Sequence, residues 1–185
     1  MARLQLPENT APPGGDVQSP QKSGYDVAQR AAQMLRGEVI DLFAQIERAV
    51  SMLLVHASAL PEYKALKPAF PHLMGQKLER LRKLMSEDGP LKSRINGVAP
   101  LVEKLASFED LRHFMAHGTV EVALKQSGEQ IYIFRMICDP DGEIDSTLTL
   151  TRPEAQSRRA RLADIAKALA SKLEATTDGR SKQPK

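Results

Sequence analysis

The chain has one cysteine, Cys138, no tryptophan, and aromatic residues at only 4%. A lone cysteine excludes an internal disulfide and any Cys-rich zinc module. Its setting, Ile131-Tyr132-Ile133-Phe134-Arg135-Met136-Ile137-Cys138, is an apolar strand, so the thiol is expected to be buried and structural rather than reactive. With so few rings, the core must be aliphatic, built from Leu, Ala, Ile, Val and Met. No apolar run approaches the ~20 residues that span a bilayer, and the N-terminus lacks the continuous apolar segment of a secretory leader. The expectation is a cytoplasmic protein without membrane contact. Also missing are a Walker loop, a Gly-rich dinucleotide turn, a Gly-x-Ser-x-Gly elbow and any internal repeat, and no cofactor is expected.

What is present fits one domain. The 185 residues are 42% hydrophobic and 26% charged, ordinary for a globular chain. A net charge of +3 permits a polyanionic partner without requiring one, because such binding follows a local patch. Residues 1–24 carry Pro7, Pro12, Pro13, Gly14, Gly15, Pro20 and Gly24 with little to bury; this composition predicts a disordered tail. A domain over residues 25–176 and a polar tail over 177–185 follow.

Leu35, Val39, Leu42, Ile46, Ala49, Leu53 and Leu60 recur at steps of three and four, with His56 or Ala57 carrying one turn. They predict a long amphipathic helix, with Asp26 as N-cap, Pro61 as its end and a length of roughly 50 Å. The stripe suits a bundle core, with His56 packed or at its rim, and its near-heptad period also allows a subunit interface. Pro61 to Pro71 form a connecting loop. A second helix from His72 to Glu87 follows the spacing of Leu73, Lys77, Leu81 and Leu84, and carries Lys77, Arg80, Arg82 and Lys83 as a charged face that is either solvated or tracks phosphates. Gly89-Pro90 breaks the chain, and Asn96-Gly97 or Pro100 restarts it. The next helix runs through Val102, Leu105, Phe108, Leu111 and Met115 to His117, with Gly118 as its C′ residue; Ser107-x-x-Asp110 marks a joint where a second short helix could be capped.

After Gly118 the period becomes two. Val120, Val122 and Leu124, then residues 130–138, then Ile144, Leu148 and Leu150 predict three antiparallel strands joined by turns at Ser127-Gly128 and Asp139-Pro140-Asp141-Gly142. Pro153 opens a last helix through Leu162, Ile165, Leu169 and Leu173. Arg152, Arg158, Arg159 and Arg161 gather at its start, where cations oppose the helix dipole; they suit either a solvated surface or an acidic partner.

The chemistry concentrates in Leu111-Arg112-His113-Phe114-Met115-Ala116-His117-Gly118, which holds two of the four histidines. On a helix, His113 and His117 share a face, while Arg112 and His117 lie about 140° apart. One reading is a metal pair, with Asp110 as the third ligand that zinc would need. Another gives the work to Arg112 and His117: a guanidinium positions a phosphate or stabilises its transition state, and an imidazole near its pKa serves as general acid or base on a ribose hydroxyl or leaving oxygen. One such pair makes a poor site alone, so this reading predicts a two-fold dimer that brings two copies together. A third reading is structural, with Arg112 paired to a carboxylate such as Glu47 and His117 closing a helix C-terminus.

At these residues the chain resembles the HEPN superfamily (higher eukaryotes and prokaryotes nucleotide-binding). Its signature is Arg, a polar residue, three further residues and His, matched here by Arg112, His113, Phe114-Met115-Ala116 and His117, and the Ala-His-Gly ending is also typical. The resemblance covers residues 26–117 and the last helix, and it makes the strands at 119–151 an insertion that the core fold does not require. It implies a dimerising helical bundle that often cleaves RNA without metal, in toxins and in abortive-infection and anti-phage effectors. Arg112 and His117 would be the catalytic pair, oriented by His113. The toxin branch that pairs with a nucleotidyltransferase antitoxin has Tyr two residues after the motif His; Thr119 stands there, so tyrosine modification is not expected.

The combined expectation is a mainly α fold, an antiparallel helical bundle with a three-stranded antiparallel β-meander before the last helix. Its function would be that of a metal-independent endoribonuclease of the toxin or phage-defence type, acting as a homodimer. RNA, tRNA included, would be the substrate, contacted by Lys77, Arg80, Arg82, Lys83, Arg158 and Arg159, with an antitoxin or activator protein as a further partner. The alternative class is a non-catalytic module that binds a nucleotide or a protein.

Overall fold

The computed structural model describes residues 20–66, 71–137 and 145–178. Among them are five α-helices and a three-stranded antiparallel sheet that precedes the last helix: α1 (Pro20–Ser58), α2 (Met74–Ser86), α3 (Ala99–Ala106), α4 (Glu109–His117), β1 (Thr119–Leu124), β2 (Gln130–Ile137), β3 (Asp145–Thr151) and α5 (Arg152–Asp178). None of these helices is long and apolar enough to cross a membrane. Cys138, the Asp139–Gly142 turn, Ile144, residues 1–19 and 179–185 lie outside the described residues.

The first helix, α1, is the axis of the fold. Its 39 residues extend roughly 58 Å. Ala28, Ala32, Leu35, Val39, Phe43, Ile46, Val50, Leu53 and Ala57 are all buried, and their steps of three and four keep one stripe turned inward. This stripe therefore faces the chain's own core, so it is not the subunit surface that its near-heptad period allowed. His56 sits at its rim, half-buried. The helix begins at Pro20 rather than at Asp26, which lies inside it. Proline has the right φ and no amide hydrogen to satisfy in a first turn, so it opens a helix where composition suggested only a tail.

Against α1 lies α5, its most extensive neighbour; α2, α4 and β1 also pack on it, β1 near its N-terminal half. The strands pair in the order β1-β2-β3, with Val120 opposite Phe134 and Phe134 opposite Leu148. Val122, Tyr132, Phe134 and Leu150 are buried in the same core as the helices. Part of the expected connecting loop, Pro61–Leu66, is a 3₁₀ turn. It sinks Tyr63 to 1% exposure, where the phenol oxygen accepts the buried amide hydrogen of Leu91 at 3.0 Å.

Other boundaries also shift. The joint near Ser107 is present, but Ser107 does not cap α4: its hydroxyl donates back to the Lys104 carbonyl at 2.7 Å, and Phe108 holds the cap position without a side-chain hydrogen bond. The working capping box is Thr151-x-x-Glu154 at the start of α5. There Glu154 accepts from both the Thr151 amide and its hydroxyl at 2.8 Å, satisfying groups that a helix start leaves orphaned. At the far end the helix runs on to Asp178, two residues into the expected tail, and Thr176 anchors this last turn. It is 1% exposed, and its hydroxyl donates to the Lys172 carbonyl at 2.8 Å.

Candidate functional site

The expected site lies on α4, whose nine residues are too few to be stable as an isolated helix. Packing fixes it. Leu111, Phe114 and Met115 point into the core, which turns Arg112, His113 and His117 outward. His113 and His117 are exposed, and their rings meet edge to face with centroids 5.1 Å apart and planes at 64°. The i, i+4 spacing thus produces the shared face expected of it. Among the described residues, no group of three or more His, Cys, Asp or Glu side chains gathers in a form that could hold a metal ion.

Arg112 is not buried against Glu47. Its side chain is 34% exposed, and its ion-pair contact is with Glu109 one turn earlier, at the long distance of 4.0 Å. Such a pair in contact with water restrains a guanidinium only weakly. Glu47 is instead the partner of Lys77, at 2.6 Å.

The C-terminal end of α4 is held from α1. Arg36 Nη2 donates to the Ala116 carbonyl at 3.1 Å, across a separation of 80 residues, and places a cation where the helix dipole is negative. Two turns earlier on α1, Gln29 Nε2 donates to the Val120 carbonyl at 3.1 Å. The backbone that carries His117 is therefore clamped on both sides. Sequence reasoning missed both residues, because a side chain reaching a carbonyl 80 positions away leaves no local pattern.

Gly118 has φ −77° and ψ 153°, an extended backbone open to any residue, so it is not the left-handed C′ glycine expected. Space explains it. A Cβ there would stand 2.6 Å from the Phe114 carbonyl oxygen and 3.1 Å from that of Arg135. Only a residue without a side chain lets the chain leave α4 and enter β1 directly, against β2. Thr119, which follows, donates its hydroxyl to the Arg135 carbonyl at 3.4 Å. The Arg135 side chain meets Glu121 at 3.4 Å on the exposed face of the sheet.

The expected RNA-contacting cations differ in exposure and pairing. Lys77 is turned inward, 8% exposed. Arg80 is half-buried and engaged with a partner. Arg82 and Lys83 are exposed on α2, with Lys83 3.3 Å from Glu79. On α5, Arg158 is exposed, whereas Arg159 meets Glu38 at 2.8 Å. Arg152 donates to Gln130 at 3.4 Å, and Arg161 lies over the Phe108 ring at 5.7 Å. Arg152, Arg159 and Arg161 are thus engaged with different elements, and Arg158 faces solvent. A groove of about 600 Å³ between α1 and α5, lined by residues including Met34, Glu38, Tyr132, Arg152 and Gln156, does not include Arg112, His113 or His117.

Compared with protein-family models, with curated proteins and with solved structures, the chain matches none.

Proposed function

We propose that this chain is a metal-independent endoribonuclease of the HEPN type, a toxin or phage-defence effector. In this reading the helices form an antiparallel bundle, and a homodimer brings two copies of the α4 end to one cleft. One observation supports it most: Arg112, His113 and His117 share an accessible helix end while their backbone is clamped. An exposed imidazole pair beside a loosely paired guanidinium is the state in which His117 can exchange protons and Arg112 can meet a phosphate. Fixing the backbone under such groups is how a site keeps its geometry.

In this mechanism Arg112 binds the scissile phosphate. His117 takes the proton of the ribose 2′-hydroxyl or gives one to the leaving oxygen, with His113 orienting the ring of His117. The open setting of these groups, away from the α1–α5 groove, favours a site completed by a second copy. Arg82, Lys83 and Arg158 are the exposed cations that would track the RNA backbone. A cognate antitoxin or activator would be the further protein partner.

The test is cleavage of a total tRNA pool in EDTA by the wild type and by His117→Ala. Cutting by the wild type alone supports the proposal. Equal cutting by both would assign the activity to another site or a contaminant. If neither cuts, the alternative of a non-catalytic nucleotide- or protein-binding module takes its place. Arg112→Lys separates these further, since a point charge cannot replace bidentate phosphate contact.

A further inference from the structure

The solvent-exposed side of α1 carries a second pattern, beside the core stripe and bordering the groove against α5. Val27, Met34, Met52 and Val55 are 61%, 67%, 49% and 57% exposed, four large apolar side chains on one helix. Val27, Ala31, Met34, Glu38, Asp41, Gln45, Arg48, Met52 and Val55 alternate in steps of four and three, as the a and d positions of a heptad do. Ala59, just beyond the helix, is the next term. The apolar members lie at the two ends of this seam and the polar ones at its middle.

That order is symmetric about Phe43. Reversed upon itself there, the seam sets Val27 opposite Ala59, Ala31 opposite Val55 and Met34 opposite Met52. It also sets Glu38 opposite Arg48 and Asp41 opposite Gln45. Every apolar residue meets an apolar one, and each acid meets a base or an amide. A self-complementary surface is what a two-fold interface requires, since residue i contacts j and j contacts i. A parallel pairing would instead place Glu38 on Glu38 and Arg48 on Arg48, which is repulsive.

We propose that α1 binds α1 of a second copy in antiparallel register, centred on Phe43, through this seam. The ends contribute apolar burial, and two Glu38–Arg48 pairs fix the direction. Glu38 already meets Arg159 of its own chain at 2.8 Å, so it would bridge Arg159 and the second copy's Arg48. The contact is separate from the cleft proposed for Arg112 and His117. Arg36, which reaches the end of α4, lies nine positions from Val27 and so half a turn around α1. A chain that made both contacts would assemble beyond the dimer, closing or extending according to how the two axes meet.

The test uses the full chain with Cys138→Ser. In one helix, positions 34 and 52 are roughly 27 Å apart, too far for a short bis-maleimide to bridge within a chain or between like positions of an antiparallel pair. Positions 34 and 52 of facing helices, whose axes lie about 8–10 Å apart, are within its reach. The double variant Met34→Cys/Met52→Cys should cross-link to a covalent dimer, and each single variant should not. Cross-linking by the single variants would indicate parallel pairing, and no cross-linking by the double variant would mean no such contact; either overturns the proposal. Glu38→Arg should weaken self-association by roughly tenfold or more, and adding Arg48→Glu should restore it. The cross-link should persist in Arg112→Lys and His117→Ala, so a failure of the nuclease reading and a failure of this one are told apart.

Discussion

Replacing Arg36 by Met keeps an unbranched apolar stem and removes the guanidinium donor. The guanidinium serves the Ala116 carbonyl at 3.1 Å from a half-buried position. A hydrogen bond from a charged donor contributes about 1.5–3 kcal/mol, and the partial access of water brings the expected loss to about 1–2 kcal/mol. For a chain of this size each kcal/mol moves Tm by about 2–4 °C, so calorimetry should show a fall of roughly 3–6 °C. Arg36→Lys, with a shorter reach and a point charge, should fall in between. The change should also be local. In a proton–carbon correlation spectrum of the four imidazoles, the His117 signal, assigned from His117→Ala, should shift or broaden while that of His72 stays in place. If Arg36→Met melted within about 1 °C of the wild type and left the His117 signal unmoved, the clamp would not hold the end of α4.

Other perturbations test the packing elsewhere in the fold. Gly89→Ala places a Cβ 2.4 Å from the Tyr63 phenol oxygen and 2.6 Å from the ring carbon that bears it. The buried ring cannot retreat, so denaturant titration should show a loss of about 2–3 kcal/mol. Glu47→Gln strips the counter-charge from the inward-facing Lys77 and should cost about 1–3 kcal/mol, whereas Lys77→Met should be neutral or stabilising; equal losses for both variants would count against this account. The Thr151 amide and then its hydroxyl hold the Glu154 carboxyl below its ordinary pKa. Its contribution is therefore complete above the ordinary glutamate value and is lost as the pH falls through the lowered one. Glu154→Gln should flatten that acid limb of the stability profile and leave neutral-pH titrations of other groups unchanged.

Much of the fold was legible because burial imposes a period. The inward stripe of α1, the three strands and the line of Leu162, Ile165, Leu169 and Leu173 on α5 all follow from it. Lys77 fell both in the stripe of Leu81 and Leu84 and in the charged face; the helix period decided, and it is buried. Capping was harder, because Ser107-x-x-Asp110 and Thr151-x-x-Glu154 look alike as text. They differ in geometry: Ser107 is still helical in its backbone and bonds back into α3, so it cannot serve the helix that follows. The position of Arg112, His113 and His117 at a helix end was legible. What holds that end was not, because Arg36 and Gln29 act across the tertiary fold.

The sheet shows why a local motif understates what a site needs. Residues 119–151 read as an insertion that the helical core could do without, yet β1 leaves α4 with no intervening loop. Gly118 is pressed between the Phe114 and Arg135 carbonyls, Thr119 bonds to β2, and Gln29 bonds to the Val120 carbonyl. Phe134, Tyr132, Val122 and Leu150 then sink the strands into the same core as α1 and α5. His117 is thus fixed by a helix on one side and a sheet on the other. Any side chain at position 118 must push the two apart. Gly118→Ala, which meets backbone that cannot swing away, should therefore disturb the His117 ring more than any change on the exposed face of the strands.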